Sequence, residues 1–113
     1  GGRLENLIAS HLLKAVHWWT DRGLGSYGLY FLRDKTGREV DFLVVRQNQP
    51  WFLVEVKSGG GRGLNPALSY FQAQTGAKHA FQLAFDLAFV ERDCFEFTKP
   101  MIVPATSFLS QLV

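Results

Sequence analysis

A mixed α/β domain, one central sheet flanked by helices, is what this sequence predicts. Three observations predict it. A helical apolar pattern opens the chain, three strand-like runs follow at hairpin spacing, and a capped helix then leads into a further apolar run. At 113 residues, the span 1–113 is sized for a single domain with one modest core. Its 47% hydrophobic and 14% aromatic content is that of a packed protein, which excludes a disordered chain.

The first element, about Leu4 to Trp19, reads as a helix. At ~100° per residue, Arg3, Asn6, Ser10, Lys14 and His17 share a narrow polar face. Leu4, Leu7, Ile8, Leu12, Ala15, Val16, Trp18 and Trp19 form a broad apolar arc, interrupted by Glu5 and His11. A buried carboxylate is costly without a partner. Glu5 is therefore expected either to stay wet in the first turn, complementing the helix dipole, or to point across the core at other charged groups. His11 is expected to be half-buried and hydrogen-bonded, because no second His or Cys stands at ligand spacing with it.

Glycines at 23, 25 and 28 break the next stretch into a loop. Leu29 to Arg33 reads as a strand, Asp34-Lys35-Thr36-Gly37 as a turn, and a second strand begins at Arg38. A polar turn, Gln47 to Pro50, separates it from a third strand, Trp51 to Lys57. That third strand is apolar on both faces up to Glu55, which predicts a central place covered by helices on both sides. Ser58 to Gly63 is a glycine-rich loop carrying Arg62; it lacks the phosphate-cradling GxxxxGK[ST] pattern, as does the whole chain. Asn65 caps a second helix, Pro66 suits its first turn and Gly76 ends it. Ala77 to Ala84 then reads as a strand parallel to the third by a crossover. A further strand within Cys94 to Val103, interrupted by Pro100, and a short helix near Thr106 to Leu112 complete the order.

The chemistry concentrates on the second hairpin. Pairing its strands about a centre near Asn48 brings Asp41 opposite Glu55. Glu55 and Lys57 share one strand face, and Asp41 joins it if the register holds. Two opposed carboxylates repel unless a cation stands between them. A divalent metal with an adjacent ammonium answers that. Asp41 and Glu55 are then the metal ligands for Mg²⁺ or Mn²⁺, with the Val56 backbone carbonyl as a third, since these hard ions prefer oxygen. Lys57 is the electrostatic group, and Glu5 an outer ligand or the holder of a metal-bound water. The bland alternative is a buried Asp41–Lys57 or Glu55–Lys57 ion pair that fixes register.

Net charge is only +2, which by itself argues for no particular partner. From Arg33 to Lys78, however, seven basic residues face four acidic ones. With Asp41 and Glu55 neutralised this region would be electropositive, suiting a polyanion contacted by Arg38, Arg62 and Lys78. Cys94, the single cysteine, cannot form an internal disulfide and is expected to fill core space in a reducing, cytoplasmic setting. No apolar run approaches the ~18 residues of a membrane span, and no signal peptide opens the chain. Because the chain starts Gly-Gly-Arg and its one methionine is Met101, it is expected to be a piece of a longer protein.

Asp41 followed by Glu55-Val56-Lys57, with helical Glu5 upstream, resembles the PD-(D/E)XK nuclease superfamily. The element order is similar to that superfamily's restriction endonuclease-like αβββαβ core. The phrases GRLENLIASHLL, LYFLRDKTGREVDFLV and EVKSG resemble more closely the domain of unknown function at the C-terminus of many prokaryotic AAA+ ATPases. The superfamily's proline is absent, Val40 standing before Asp41. The resemblance implies a metal-dependent DNA endonuclease domain, with Glu5, Asp41, Glu55 and Lys57 catalytic, attached to an upstream ATPase. Competing readings are a noncatalytic module that binds nucleic acid or protein, and an assembly domain, such as a dimer, whose exposed aromatics pair subunits.

Overall fold

The computed structural model describes residues 2–59 and 63–112. Helix α1 (Gly2–Asp21) is followed by strands β1 (Tyr27–Arg33), β2 (Glu39–Arg46) and β3 (Gln49–Lys57). Then come α2 (Pro66–Thr75), β4 (His79–Ala84), a single 3-10 turn (Cys94–Glu96), β5 (Met101–Pro104) and α3 (Ala105–Leu109). The strands form one five-stranded mixed sheet in the order β1-β2-β3-β4-β5. The first three pair antiparallel, while β4 and β5 join in parallel. This is the expected αβββαβ order, with β5 and α3 extending it.

Two cores lie on opposite faces of the sheet. On one, Ile8, Leu12, Ala15 and Val16 of α1 and Phe108 of α3 pack on Phe42, Val44, Phe52, Val54, Val56, Phe81 and Leu83. Cys94 fills space in this core, as its composition suggested. On the other, Ala67, Leu68 and Phe71 of α2 pack on Val40, Leu43, Leu53 and Ala80. The buried stripe of α1 is narrower than the predicted arc. Leu7 and Trp18 are exposed, and so is His11, which is a correction to its half-buried expectation. The arc was drawn from apolar residue types, but a single sheet face covers only the ~100° stripe that points at it.

Local signals set the connections. Asn65 accepts the Ala67 N–H as the α2 cap, and Gly76 ends that helix in the left-handed region at φ 76. The β2–β3 turn needs only Gln47 and Asn48, both with positive φ (52 and 64), so Gln49 and Pro50 already belong to β3. Pairing at positive φ on both central residues matches the right-handed twist of the flanking strands.

Both ends of the β2–β3 hairpin depart from regular alternation. Near the turn, Val44 pairs with Phe52 but Val45 with Pro50, so Trp51 is an extra residue without a partner. Pro50, which cannot donate to a ladder, is tolerated beside this bulge. At the far end of β2, Tyr30 pairs with Leu43 and Leu32 with Val40, so Phe31 of β1 faces two residues, Asp41 and Phe42. Val40 and Leu43 consequently both pack on the α2 side, whereas an uninterrupted strand would place them on opposite faces.

Among the described residues no helix is long and apolar enough to cross a membrane.

Candidate functional site

The bulge at Asp41–Phe42 decides the site. Regular β2–β3 pairing ends at Phe42–Val54, while β3 continues beside β4 as far as Lys57–Ala84. In the gap thus opened, the side chains of the two carboxylates replace the missing ladder. Asp41 Oδ2 accepts the Val56 N–H at 2.8 Å, and the Asp41 N–H donates to Glu55 Oε1 at 3.2 Å. In an extended strand the N–H and C=O of one residue leave on the same edge. The Val56 carbonyl therefore also faces this gap.

The two carboxylates meet across the sheet rather than standing side by side on one face. Asp41 lines a cleft of about 320 Å³ between the start of α1 and strands β1 and β2, shared with Glu5, Asn6, Phe31 and Arg33. Glu55 lies on the α2 side and is buried. Its Oε2 accepts the Asn65 side-chain amide at 2.6 Å and stands 3.6 Å from Lys57 Nζ. The shared-face expectation is thus corrected: pairing arithmetic assumed uninterrupted pleating, and one inserted residue turned the Asp41 side chain to the other side. Glu5 joins Asp41 in the cleft, whose lining does not include Glu55.

Electrostatics follow from this placement. Burial pushes the Asp41 carboxyl up to about 7; the Val56 N–H opposes the shift, and a hydrogen bond and charge from Glu55, with the charge of Glu5, add to it. Asp41 Oδ2 is taken by the Val56 N–H, and the Asp41 carboxyl also lies within hydrogen-bonding reach of Glu55. Among the described residues no group of three or more His, Cys, Asp and Glu side chains is set to hold a metal ion. A cation here would rest on two carboxylates and a main-chain carbonyl. The Asp41 and Glu55 carboxylates and the Val56 C=O suit a hard cation chemically, and a cation would offset the burial and, after it, the Glu55 and Glu5 charge that raise Asp41.

Two residues that the sequence reading did not assign to the site complete it. Asn65, recognised only as a cap, also ties Glu55 to the start of α2. Gln82, fully buried on β4, accepts the Asn65 N–H and donates to the Gly63 carbonyl, each at 2.8 Å. The available signal was a lone amide among Ala80, Phe81, Leu83 and Ala84 in a wholly buried strand.

Of the proposed basic contacts in the described residues, Lys78 stands away from the carboxylates and Arg38 is engaged elsewhere. Lys78 is at the opposite end of the sheet, its N–H bonded to the Trp51 carbonyl. It lines a separate hollow with Arg46, Gln47 and Trp51. Four residues along β3 from Trp51 to Glu55 span ~13 Å. Arg38 is engaged by Asp34 at 2.7 Å and by the Tyr70 ring, 3.4 Å from its guanidinium carbon. Arg62 lies outside the described residues.

A family model described as "Domain of unknown function (DUF4143)" matches residues 1–93, most of the chain. Comparison with curated proteins found no match, and comparison with solved structures found none either.

Proposed function

We propose that this chain, which belongs to the DUF4143 family of domains of unknown function, is a divalent-cation-dependent phosphodiester hydrolase domain acting on DNA, on the plan of the PD-(D/E)XK nucleases. The observation that supports this best is the bulge at Asp41–Phe42. It turns an acidic side chain into an open cleft at the point where the ladder parts, with the Asp41 N–H on Glu55, which in turn stands 3.6 Å from the Lys57 ammonium. Bulges recur next to active sites because they re-aim a side chain at small cost to the sheet.

In this reading Asp41, Glu55 and the Val56 carbonyl hold Mg²⁺ or Mn²⁺. The bound ion would supply an activated water and polarise the phosphoryl oxygen. Lys57 offsets the negative charge that develops on the phosphoryl group in the transition state. Glu5, across the cleft from Asp41, orients water at the mouth. Asn65 and Gln82 are positioning residues that hold the Glu55 carboxylate and the end of the loop before α2. An AAA+ ATPase upstream in the same polypeptide, and a cytoplasmic setting, belong to the same proposal.

The test is cleavage of supercoiled, linear and single-stranded DNA with Mg²⁺ or Mn²⁺, run beside calorimetric titration of the metal. Asp41→Ala is expected to abolish both cleavage and metal uptake while circular dichroism is preserved. Cleavage that persists in EDTA or in the Asp41→Ala variant overturns the reading.

A second reading has its own observation. Glu55 is already satisfied without a metal, by the Asp41 N–H, the Asn65 amide and Lys57. Such a carboxylate can serve as a brace between β3 and α2 in a noncatalytic binding module. Salt-sensitive DNA binding that survives loss of Asp41, with no cleavage of any form, would favour this one.

A further inference from the structure

Phe31 is the most exposed large hydrophobic side chain of the described residues, 78% accessible. It is no loop tip. It lies within β1, opposite the Asp41–Phe42 bulge, between Leu29 and Leu32 in the same strand, and both Leu29 and Leu32 are partly buried against the cores. Leaving a phenyl ring in water at such a position forgoes a large burial gain. Among the described residues its one close ring neighbour is Phe42, at 5.6 Å between centroids and tilted by 44°. Phe31 lines the cleft that holds Asp41 and Glu5, and the opposite wall is formed by Asn6 and Ala9 of α1.

The dimensions restrict what the ring can meet. A cleft of about 320 Å³ is small for a ligand site. It has room for one nucleotide, whereas the base faces of an intact duplex are stacked on one another and closed to an aromatic ring. An exposed aromatic face is a sequence-tolerant platform for an unpaired base. The Asn6 amide, carrying both donors and an acceptor, can meet a base edge across the cleft.

We infer that Phe31 is a stacking platform for one unpaired nucleobase, so that the site takes single-stranded or flapped nucleic acid in preference to intact duplex. The inference rests on the phosphodiester reading above, because it is the Asp41 end of the cleft that would hold the neighbouring phosphate.

The experiment uses the full chain at low salt with Mg²⁺. A phosphorothioate-linked single strand carrying 2-aminopurine is followed by anisotropy and by base fluorescence, with a duplex of the same sequence as control. The single strand is expected to bind with quenching of 2-aminopurine, and Phe31→Ala to weaken it about 5- to 150-fold. Phe31→Trp should keep both affinity and quenching, and duplex affinity should not respond to either change. Equal single-strand affinity in wild type and Phe31→Ala, or no quenching, overturns the inference. So does a Phe31→Ala protein that changes only from dimer to monomer in sedimentation, since the ring would then be a subunit contact. Metal titration separates the two readings. Phe31-dependent quenching without metal uptake at Asp41 defeats the hydrolase proposal alone, and metal-dependent cleavage indifferent to Phe31 defeats the stacking platform alone.

Discussion

The two ends of the β2–β3 hairpin use the same irregularity for opposite purposes. At the turn end, the extra residue is Trp51, and it is absorbed by packing. Its ring lies 5.5 Å from Trp19, 5.9 Å from Tyr27 and 5.4 Å from Phe95, with the Arg46 guanidinium 4.4 Å above it. At the other end the inserted step brings Asp41 into play, half-buried in a cleft that it shares with Glu5. The displaced backbone groups are met by carboxylates instead, and one of those carboxylates is left at a pKa of about 7. A bulge filled by aromatics adds to stability. A bulge filled by like charges subtracts from it, and the arrangement makes sense where a ligand of opposite charge supplies the difference.

The largest expected effect comes from emptying the aromatic end. Trp51→Ala removes a half-buried ring from four aromatic contacts and should cost about 3 kcal/mol in urea unfolding, the low end for aromatic truncations because the site is not fully sealed. The two ends are ~13 Å apart along β3, far enough for independent effects to add. Metal uptake and the pH response attributed to Asp41 should therefore be unchanged in the folded variant. A shift of that pH response would show the two bulges to be coupled, and the contrast drawn here would fail.

A smaller effect, of opposite sign, is expected at the carboxylate end. The fold favours the protonated form of Asp41, whose pKa rises from 3.8 to about 7. Its contribution is complete below about pH 3.8 and is lost as pH climbs to about 7. At face value the shift is worth about 4 kcal/mol; with a side chain half open to solvent, about 1–2 kcal/mol is expected. Asp41→Asn keeps an oxygen for the Val56 N–H but cannot ionise. In EDTA it should match the parent near pH 4 and exceed it in stability at pH 8. Mg²⁺ at pH 8 should then raise the unfolding midpoint of the parent and not of the variant, by linkage to binding. Parallel pH profiles for the two proteins would remove the electrostatic account of this bulge.

Much of the framework was legible because it is written in local chemistry. Asn65, Pro66 and Gly76 mark the second helix by the groups they leave or fill at its ends, and the apolar run Trp51–Val54 announces a central strand. Asp41, Glu55 and Lys57 were found because charges are out of place in such strands. What could not be read was their arrangement. A bulge inserts a residue without a residue-type signature, so Trp51 looked like any strand position and Asp41 was assigned to the face that pleating alone would give it. Gln82 escaped for a related reason: its partners, the Asn65 N–H and the Gly63 carbonyl, come from a loop whose path the sequence does not state. The placing of the basic residues was not legible either. Charge counting gathers Arg38 and Lys78 into one patch, but tertiary pairing engages the first with Asp34 and Tyr70 and puts the second at the far end of the sheet.

The smallest expected effect on stability separates the two proposed readings of the carboxylate end. Lys57 stands 3.6 Å from Glu55 Oε2 with over a third of its side chain in solvent, a distance and exposure at which an ion pair contributes little. Glu55 keeps its bonds from Asn65 and from the Asp41 N–H when the ammonium is removed, so its oxygens stay hydrogen-bonded. Lys57→Met, which preserves the aliphatic stem, should therefore change unfolding free energy by less than about 1 kcal/mol. If Lys57 is the group that offsets transition-state charge, the same substitution should lower cleavage by about two orders of magnitude or more while metal affinity changes little. Loss of cleavage with stability intact makes this end a site in the chemical sense. A substantial loss of stability would instead make Lys57 part of the brace between β3 and α2, and the carboxylate bulge would then be structural like its aromatic counterpart.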